Sequence, residues 1–351
     1  MSERSSQEIP EEPASAEGPV VSVIIPAYNA SNSIGNALRS VLKQSLEDLE
    51  VIVVDDASSD RSLQIARDMA AADPRVRVLS HSCNLGQAAA RNLALRVARG
   101  RWIALVDADD EIAERRLDML CRAGDRAEAD LIADGVEFAG PRQAGTPAHL
   151  KACEGSEDPL PTLSLEALIE SDIPLNGLCS FGYLKPVMRR AFLERMRLRY
   201  DEDLRFSEDL NLYARALACG GRFVLHPGTL YYYNQTPVSA SRNVQVLPTV
   251  ADHALVNNCR LRELVSRCRI EGLDTLLEEH RQRWSTVLWF NRLKLALRRR
   301  RISDVLQLTL TCPSGPRAVL RFARDRARLK ARADARSSAA KNRFDQSNPS
   351  A

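Results

Sequence analysis

A chain of 351 residues, 44% hydrophobic and 27% charged, holds enough apolar material for a principal domain plus an extension and is too apolar to be largely disordered. Its formal net charge of +3 argues against a globally basic nucleic-acid binder, and no run of about 18 apolar residues is present to cross a bilayer. The eight cysteines are scattered without a C-x-x-C pair, which suggests reduced, mostly buried thiols rather than a zinc site or a disulfide framework.

Residues 1–19 are rich in Ser, Glu and Pro and lack the apolar core of a signal peptide, so they read as a disordered tail on a cytoplasmic protein. The β-branched run from Val20 to Ile25, stopped by Pro26, has the form of a buried parallel strand. Ser33 is placed to cap a helix reaching about residue 45, with Ile34, Ala37, Leu38, Val41 and Leu42 on one face. A strand over 49–54 then delivers Asp55 and Asp56 at its end. Helices over 62–71 and 87–99 alternate with strands over 76–79 and 102–106, the last ending at Asp107. A helix over 113–126 and a strand over 130–136 continue the pattern, and 140–161 is a loop region containing Pro and Gly. Further on come a short helix over 163–170, a strand around 183–188 and a helix over 207–219. Beyond residue 241 the pattern is helical and basic, with helices over 284–301 and 317–336 and a disordered tail over 337–351.

Strands alternating with helices at this spacing imply a sheet with right-handed crossovers, and such folds bind ligands beyond the carboxyl ends of their strands. Every polar cluster in this chain falls at one of those ends, so the clusters should share one crevice. Tyr28 and Asn29 follow the first strand, where a ring and an amide can stack on and hydrogen-bond a nucleobase. Asp55 and Asp56 together repel each other unless they meet donors or a cation; Ser58, Ser59 or Asp60 serves the following helix as a cap. Asp107-Ala108-Asp109-Asp110 forces three carboxylates into a small volume, which suits Mn²⁺ or Mg²⁺ shared with substrate phosphates and the neutralisation of a departing nucleoside diphosphate. Glu208-Asp209 opens a helix whose dipole keeps a carboxylate ionised, either to accept a proton or simply to stabilise the helix start.

The strings VSVIIPAYNASNSIGNALRSVLKQS, VIVVDDASSD, NLGQAAARN, ALVDADD and RYDEDLRFSEDLNLYARAL, in this order over residues 20–233, resemble glycosyltransferase family 2, the inverting enzymes of the GT-A fold. The resemblance implies an α/β chain: a GT-A (Rossmann-like), mixed but mainly parallel sheet flanked by helices, with a C-terminal helical extension. It implies a catalytic domain over 20–240, divided into a nucleotide-sugar half (20–140) and an acceptor half (141–240), with the basic extension over 241–336. Carried over residue by residue, it makes Pro26, Tyr28, Asn29, Asp55, Asp56, Arg91 and Asp107 donor contacts and Asp109, with Asp107, the ligand of Mn²⁺ or Mg²⁺. It makes Asp209 the base, supported by Glu208 and Asp110. The implied reaction moves one sugar from a UDP-sugar to a glycan or lipid-linked acceptor in surface or exopolysaccharide assembly.

Two departures stand out. The Tyr-Arg-x-His element of many relatives is replaced by Tyr233-Asn234-Gln235-Thr236, leaving its cation unreplaced unless His226 substitutes, and the Q-x-x-R-W element of processive synthases is absent. The aromatic and basic residues from Trp284 through Trp289 and Phe290 to Arg301 suit either an anionic membrane surface, with the enzyme peripheral at the inner face of the plasma membrane, or a helical cap on the catalytic domain. Nucleotidyl transfer on a related sheet and a non-catalytic nucleotide-sugar or glycan-binding module are the alternatives; the first lacks its Gly- and Lys-rich phosphate loop.

Overall fold

The computed structural model describes residues 18–139, 149–153, 159–174, 176, 178–234 and 247–301, with isolated positions as far as 324. The expected tails and the expected helix over 317–336 lie outside the described residues, Gly18, Pro19 and Arg324 apart.

Strands β1 (Val21–Ala27), β2 (Leu49–Asp55), β3 (Val76–Ser80) and β4 (Trp102–Leu105) run parallel in the order β3-β2-β1-β4. Every residue of β1, β2 and β4 is buried, as expected of parallel strands covered on both faces. Pro26 does not stop β1 but lies inside it, opposite Val54. Pairing to β4 ends at Ile24, so the missing N–H of Pro26 falls past that ladder. The crossovers are α1 (Ile34–Leu42), α2 (Ser62–Ala72) and α3 (Gln87–Val97). Helix α1 buries Ile34, Ala37, Leu38 and Val41 and ends at Leu42, short of residue 45. Ser33 occupies its N-cap position but does not cap: its hydroxyl donates to the Ala30 carbonyl instead.

Past β4 the sheet turns mixed. A two-residue strand β5 (Glu111–Ile112) precedes α4 (Arg116–Arg126), which delays that helix by three residues. Then follow β6 (Leu131–Ala139), β7 (His149–Leu150), α5 (Leu165–Ser171), β8 (Val187–Arg189), α6 (Arg190–Arg195), α7 (Glu208–Ala218) and β9 (Phe223–Asn234). The whole sheet is ordered β3-β2-β1-β4-β8-β6-β9-β5, with β7 on the side of β6. The strand expected around 183–188 begins only at Val187, because Phe181–Tyr183 form a single 3-10 turn. Strand β9 was not expected: His226, Pro227 and Gly228 interrupt its alternation and fall where its register on β6 shifts.

Helices α8 (Leu247–Arg267) and α9 (Asp274–Arg298) pack on each other and against α7 and α5. Asn211 Nδ2 donates to Asn257 Oδ1 at 2.8 Å, and the buried His280 pairs through Nε2 with Asp172 at 3.0 Å. The Trp284 indole donates to the Asp172 carbonyl at 3.1 Å, so this ring faces the domain rather than a membrane. No described helix is long and apolar enough to cross a membrane. The expectation of mostly buried thiols needs correcting: of the described cysteines, all free, Cys121 is buried while Cys83, Cys219, Cys259 and Cys268 are exposed.

Candidate active site

The carboxyl ends of β1 and β2 carry the first group of expected residues. Tyr28 projects from the surface at 53% exposure, its ring open to a planar ligand. Asn29 turns inward to its neighbouring loop: its Oδ1 accepts from the Ser59 N–H at 2.9 Å and its own N–H donates to Ser58 Oγ at 3.0 Å. Both Asn29 (φ 50°) and Ala57 (φ 59°) sit in the left-handed region, a strained backbone state held by this cross-loop lacing. The N-cap residue of α2 is Arg61, which makes no side-chain cap, but Asp60 just before it takes the Ser62 N–H at 2.9 Å and the Ser31 N–H at 2.9 Å. Burial opposes ionisation of Asp60, yet the Ser62 hydroxyl and these two bonds outweigh it and lower the pKa to about 2.

Asp55 and Asp56 divide sharply. Asp56 is 3% exposed, and its two oxygens receive His81 Nδ1 at 2.7 Å, the Leu85 N–H at 2.9 Å and the Gly86 N–H at 2.7 Å. It therefore organises the loop entering α3, where Gly86 adopts φ 95°, rather than presenting a free carboxylate. Asp55 bonds the Ser58 N–H through Oδ2 at 3.0 Å, while its buried Oδ1 has no partner.

The second group converges from α3, α7, β9, the end of β4 and the segment before β8. Arg91 on α3 is 1% exposed and reaches Glu208 Oε1 at 3.1 Å, Asp209 Oδ1 at 3.0 Å and Asp107 Oδ1 at 2.9 Å. Lys185, just before β8, bridges Asp107 Oδ2 at 2.9 Å and Asp209 Oδ2 at 3.0 Å. Glu208 and Asp209 open α7, whose N-cap residue Ser207 is itself left-handed (φ 63°). Gln87 donates to Glu208 Oε1 as well. Asp110 is tied down by the Tyr231 hydroxyl at 2.7 Å and the Asn234 N–H at 2.8 Å, and Tyr231 also receives the Asp107 N–H at 3.2 Å.

Charge is unevenly settled here. Burial works against ionising Asp107, but Lys185 and Arg91 more than offset it and hold that carboxyl well below its ordinary range. Burial and the charge of Asp107 push Asp109 up to about 6, burial and the neighbouring charge of Asp209 push Glu208 up to about 7, and Asp110 lies well above the usual carboxylate range for the same reasons. Five carboxylates thus meet two cations, Arg91 and Lys185, so a fully ionised centre would hold three negative charges in excess. Asp109 is half-buried and forms no ion pair among the described residues.

That imbalance fits a divalent cation at Asp109, with Asp107 contributing as its pairing to Arg91 and Lys185 allows. The described residues build no closed cage of three or more ligands. An ion completed by phosphate oxygens and water needs none.

Lys185, Tyr231, His81 and Arg116 were missed by sequence reading, since each acts across a long sequence separation. Arg116 is fully buried against Asp134 at 2.8 Å, donates to the Lys185 carbonyl at 2.6 Å and lies over the Tyr231 ring at 5.1 Å, so it fixes two members of the centre at once. His226, considered as a substitute cation, instead accepts the Gly228 N–H through Nδ1 at 3.0 Å within the β9 irregularity, and burial lowers its pKa. Gln235 and Thr236 lie outside the described residues.

A family model for glycosyl transferase family 2 matches residues 22–192. The chain is 34% identical over 302 residues to the succinoglycan biosynthesis protein ExoO of Rhizobium meliloti (strain 1021), covering 86% of this chain and 84% of that protein. It is 39% identical over 209 residues to ExoU of the same organism, 59% of each chain. Among solved structures, S. aureus TarS 1-349 in complex with UDP aligns with a TM-score of 0.51 at 22% identity, over 84% of this chain and 91% of that one. The mannosyltransferase PcManGT from Pyrobaculum calidifontis, in complex with GDP-Man and Mn2+, aligns at 0.54 and 19%, over 94% and 88%. The chain belongs to glycosyltransferase family 2: it is a glycosyltransferase of the GT-A fold, which sets aside both nucleotidyl transfer and a purely binding role.

Proposed function

We propose that this family-2 glycosyltransferase transfers a single sugar, with inversion, from a UDP-sugar to a glycan or lipid-linked acceptor in surface or exopolysaccharide assembly. The observation that carries the reading is the excess of carboxylates around Asp109, which makes no ion pair among the described residues. A diphosphate would add negative charge to a centre already short of cations, so it enters only with a divalent metal. Complexes of fold neighbours with UDP, and with GDP-Man and Mn2+, support that direction, as do the succinoglycan names of two relatives.

In this reading Tyr28 stacks on the base and Asp55 offers its unpaired Oδ1, while Asn29, Asp56 and Pro26 shape the pocket. Asp109, with Asp107, holds Mn²⁺ or Mg²⁺, which when bound acts as a Lewis acid toward the leaving diphosphate. Asp209 takes the proton of the acceptor hydroxyl; that oxygen bonds to the anomeric carbon as the carbon–diphosphate bond breaks, and the configuration inverts. Because both oxygens of Asp209 are held by Arg91 and Lys185, the acceptor hydroxyl displaces one of these cations from the carboxylate. Glu208 and Asp110 keep the frame. Residues 20–240 form the catalytic unit in this scheme, with the helices over 247–298 packed on it as a cap. The exposed Arg298, Arg299, Arg300 and Arg301 are left to face an anionic inner membrane surface.

The test uses UDP affinity and UDP release. Asp109→Ala should weaken Mn²⁺-dependent UDP binding by roughly 10–100-fold, and Asp209→Asn should keep UDP binding while lowering turnover by about 10²–10⁴-fold. Unchanged Mn²⁺-dependent affinity in the first variant, or near-normal turnover in the second, removes the corresponding role.

A further inference from the structure

Three aromatic rings meet beside the acidic centre. Phe138, Tyr183 and Tyr233 contact one another edge to face, with centroids 5.8, 5.5 and 6.0 Å apart. Phe138 and Tyr233 are the penultimate residues of β6 and β9 and stand opposite each other in register, and Tyr183 closes the 3-10 turn ahead of β8. All three therefore lie at the sheet edge where β1, β2 and β4 end. Two residues beyond Tyr183, Lys185 sets its ammonium between Asp107 and Asp209. One residue beyond Tyr233, the Asn234 N–H binds Asp110. Along the edge, Tyr28 and Asp55 stand on the β2–β1 side of Asp107 and Asp109, and the aromatic wall stands on the β8–β6–β9 side.

Phe138 is 6% exposed and forms the floor, whereas Tyr183 is 37% exposed. No described residue hydrogen-bonds the hydroxyl of Tyr183 or Tyr233, in contrast to Tyr231 on the same strand, whose hydroxyl serves Asp110. Tyrosines that only fill a core bury their rings and satisfy their hydroxyls. An open ring, two hydroxyls that no described residue binds and adjacent carboxylates suit a ligand with an apolar C–H face and a rim of hydroxyl groups, which describes a pyranose.

We propose that Phe138, Tyr183 and Tyr233 form the subsite for the hexopyranose ring of the acceptor, holding it on the side of Asp209 away from the nucleotide. The proposal rests on the sugar-transfer reading above and adds the place of the acceptor to it. Tyr183 supplies the stacking surface, Tyr233 a hydroxyl, and Phe138 fixes both.

Saturation-transfer NMR with methyl β-D-glucopyranoside as the probe, recorded on the full chain with UDP and Mn²⁺, tests it. Ring protons of the probe should receive saturation from the wild type, roughly tenfold less from Tyr183→Ala, and near-wild-type amounts from Tyr183→Trp. No transfer to the probe from the wild type, undiminished transfer from Tyr183→Ala, or a loss of UDP-sugar affinity in that variant larger than its loss of UDP affinity, which would assign the wall to the donor sugar, each overturns the proposal. Asp109→Ala separates the two readings: Mn²⁺-dependent UDP affinity reports on the donor site, and saturation transfer in the absence of UDP reports on the wall.

Discussion

The chain places acidic groups at the ends of β2 and β4, the two strands that flank β1, and treats them in opposite ways. After β2, Asp56 is answered by two backbone N–H donors and the His81 ring, which satisfy it inside the loop. After β4, Asp107 is answered by two buried cations that also bind Asp209, while Asp109 makes no ion pair among the described residues. A carboxylate whose lone pairs are filled by its own backbone shapes a pocket; one left with unbalanced charge recruits a ligand. Acidic residues at strand ends are therefore informative only once their partners are counted.

Three substitutions sharpen or break this contrast. The largest effect belongs to Arg91→Met, which strands Asp107, Glu208 and Asp209 with only Lys185 between them and should lower unfolding free energy by about 3–5 kcal/mol in urea melts. A loss below about 1 kcal/mol would mean that the ion-pair network is not what holds the centre together. Next, Asp109→Asn should stabilise the metal-free protein. The folded carboxyl titrates at about 6 against an ordinary 3.8, so its ionisation opposes folding. Its favourable contribution is complete below the unfolded pKa and is lost as pH rises through the folded one. The gain in the Asn variant should thus be absent near pH 4 and reach on the order of 1–3 kcal/mol above about pH 7. Destabilisation by Asp109→Asn at neutral pH would show that Asp109 is already balanced. The smallest effect is that of Asp56→Asn, which should cost about 1 kcal/mol, opposite in sign to Asp109→Asn. It should also raise hydrogen exchange in residues 81–86, and a neutral or stabilising result would erase the distinction between the two strand ends.

Much of this architecture is legible in the sequence where local pattern and tertiary role coincide. β1, β2 and β4 are continuous apolar runs because both faces are covered, and α1 shows its buried stripe directly. The positions of Asp107, Asp109, Glu208 and Asp209 at element ends are equally visible. What local pattern does not carry is pairing at a distance. Nothing around Leu184-Lys185-Pro186 announces a buried ammonium shared by residues 78 positions before it and 24 after it. The satisfaction of Asp56 depends on how residues 81–86 fold back, and Ser33 resembles a cap in sequence while its hydroxyl turns the other way. β9 escaped notice because Pro227 and Gly228, ordinary signals of a turn, lie inside it.

That interruption in β9 works as a slack length of chain. Seven steps along β6, from Leu131 to Phe138, match ten along β9, from Phe223 to Tyr233, so three residues are taken up by the irregularity, two between Leu225 and Thr229 and one between Thr229 and Tyr231. Beyond it Tyr231 and Tyr233 stand level with Val136 and Phe138, and there Tyr231 reaches Asp110 and Tyr233 reaches Tyr183. A bulge leaves its extra residues out of the ladder, so the pairing that follows it is set independently of the pairing before it. The two halves of β9 are thereby uncoupled: one is placed by the core it fills, the other by the acidic centre it serves.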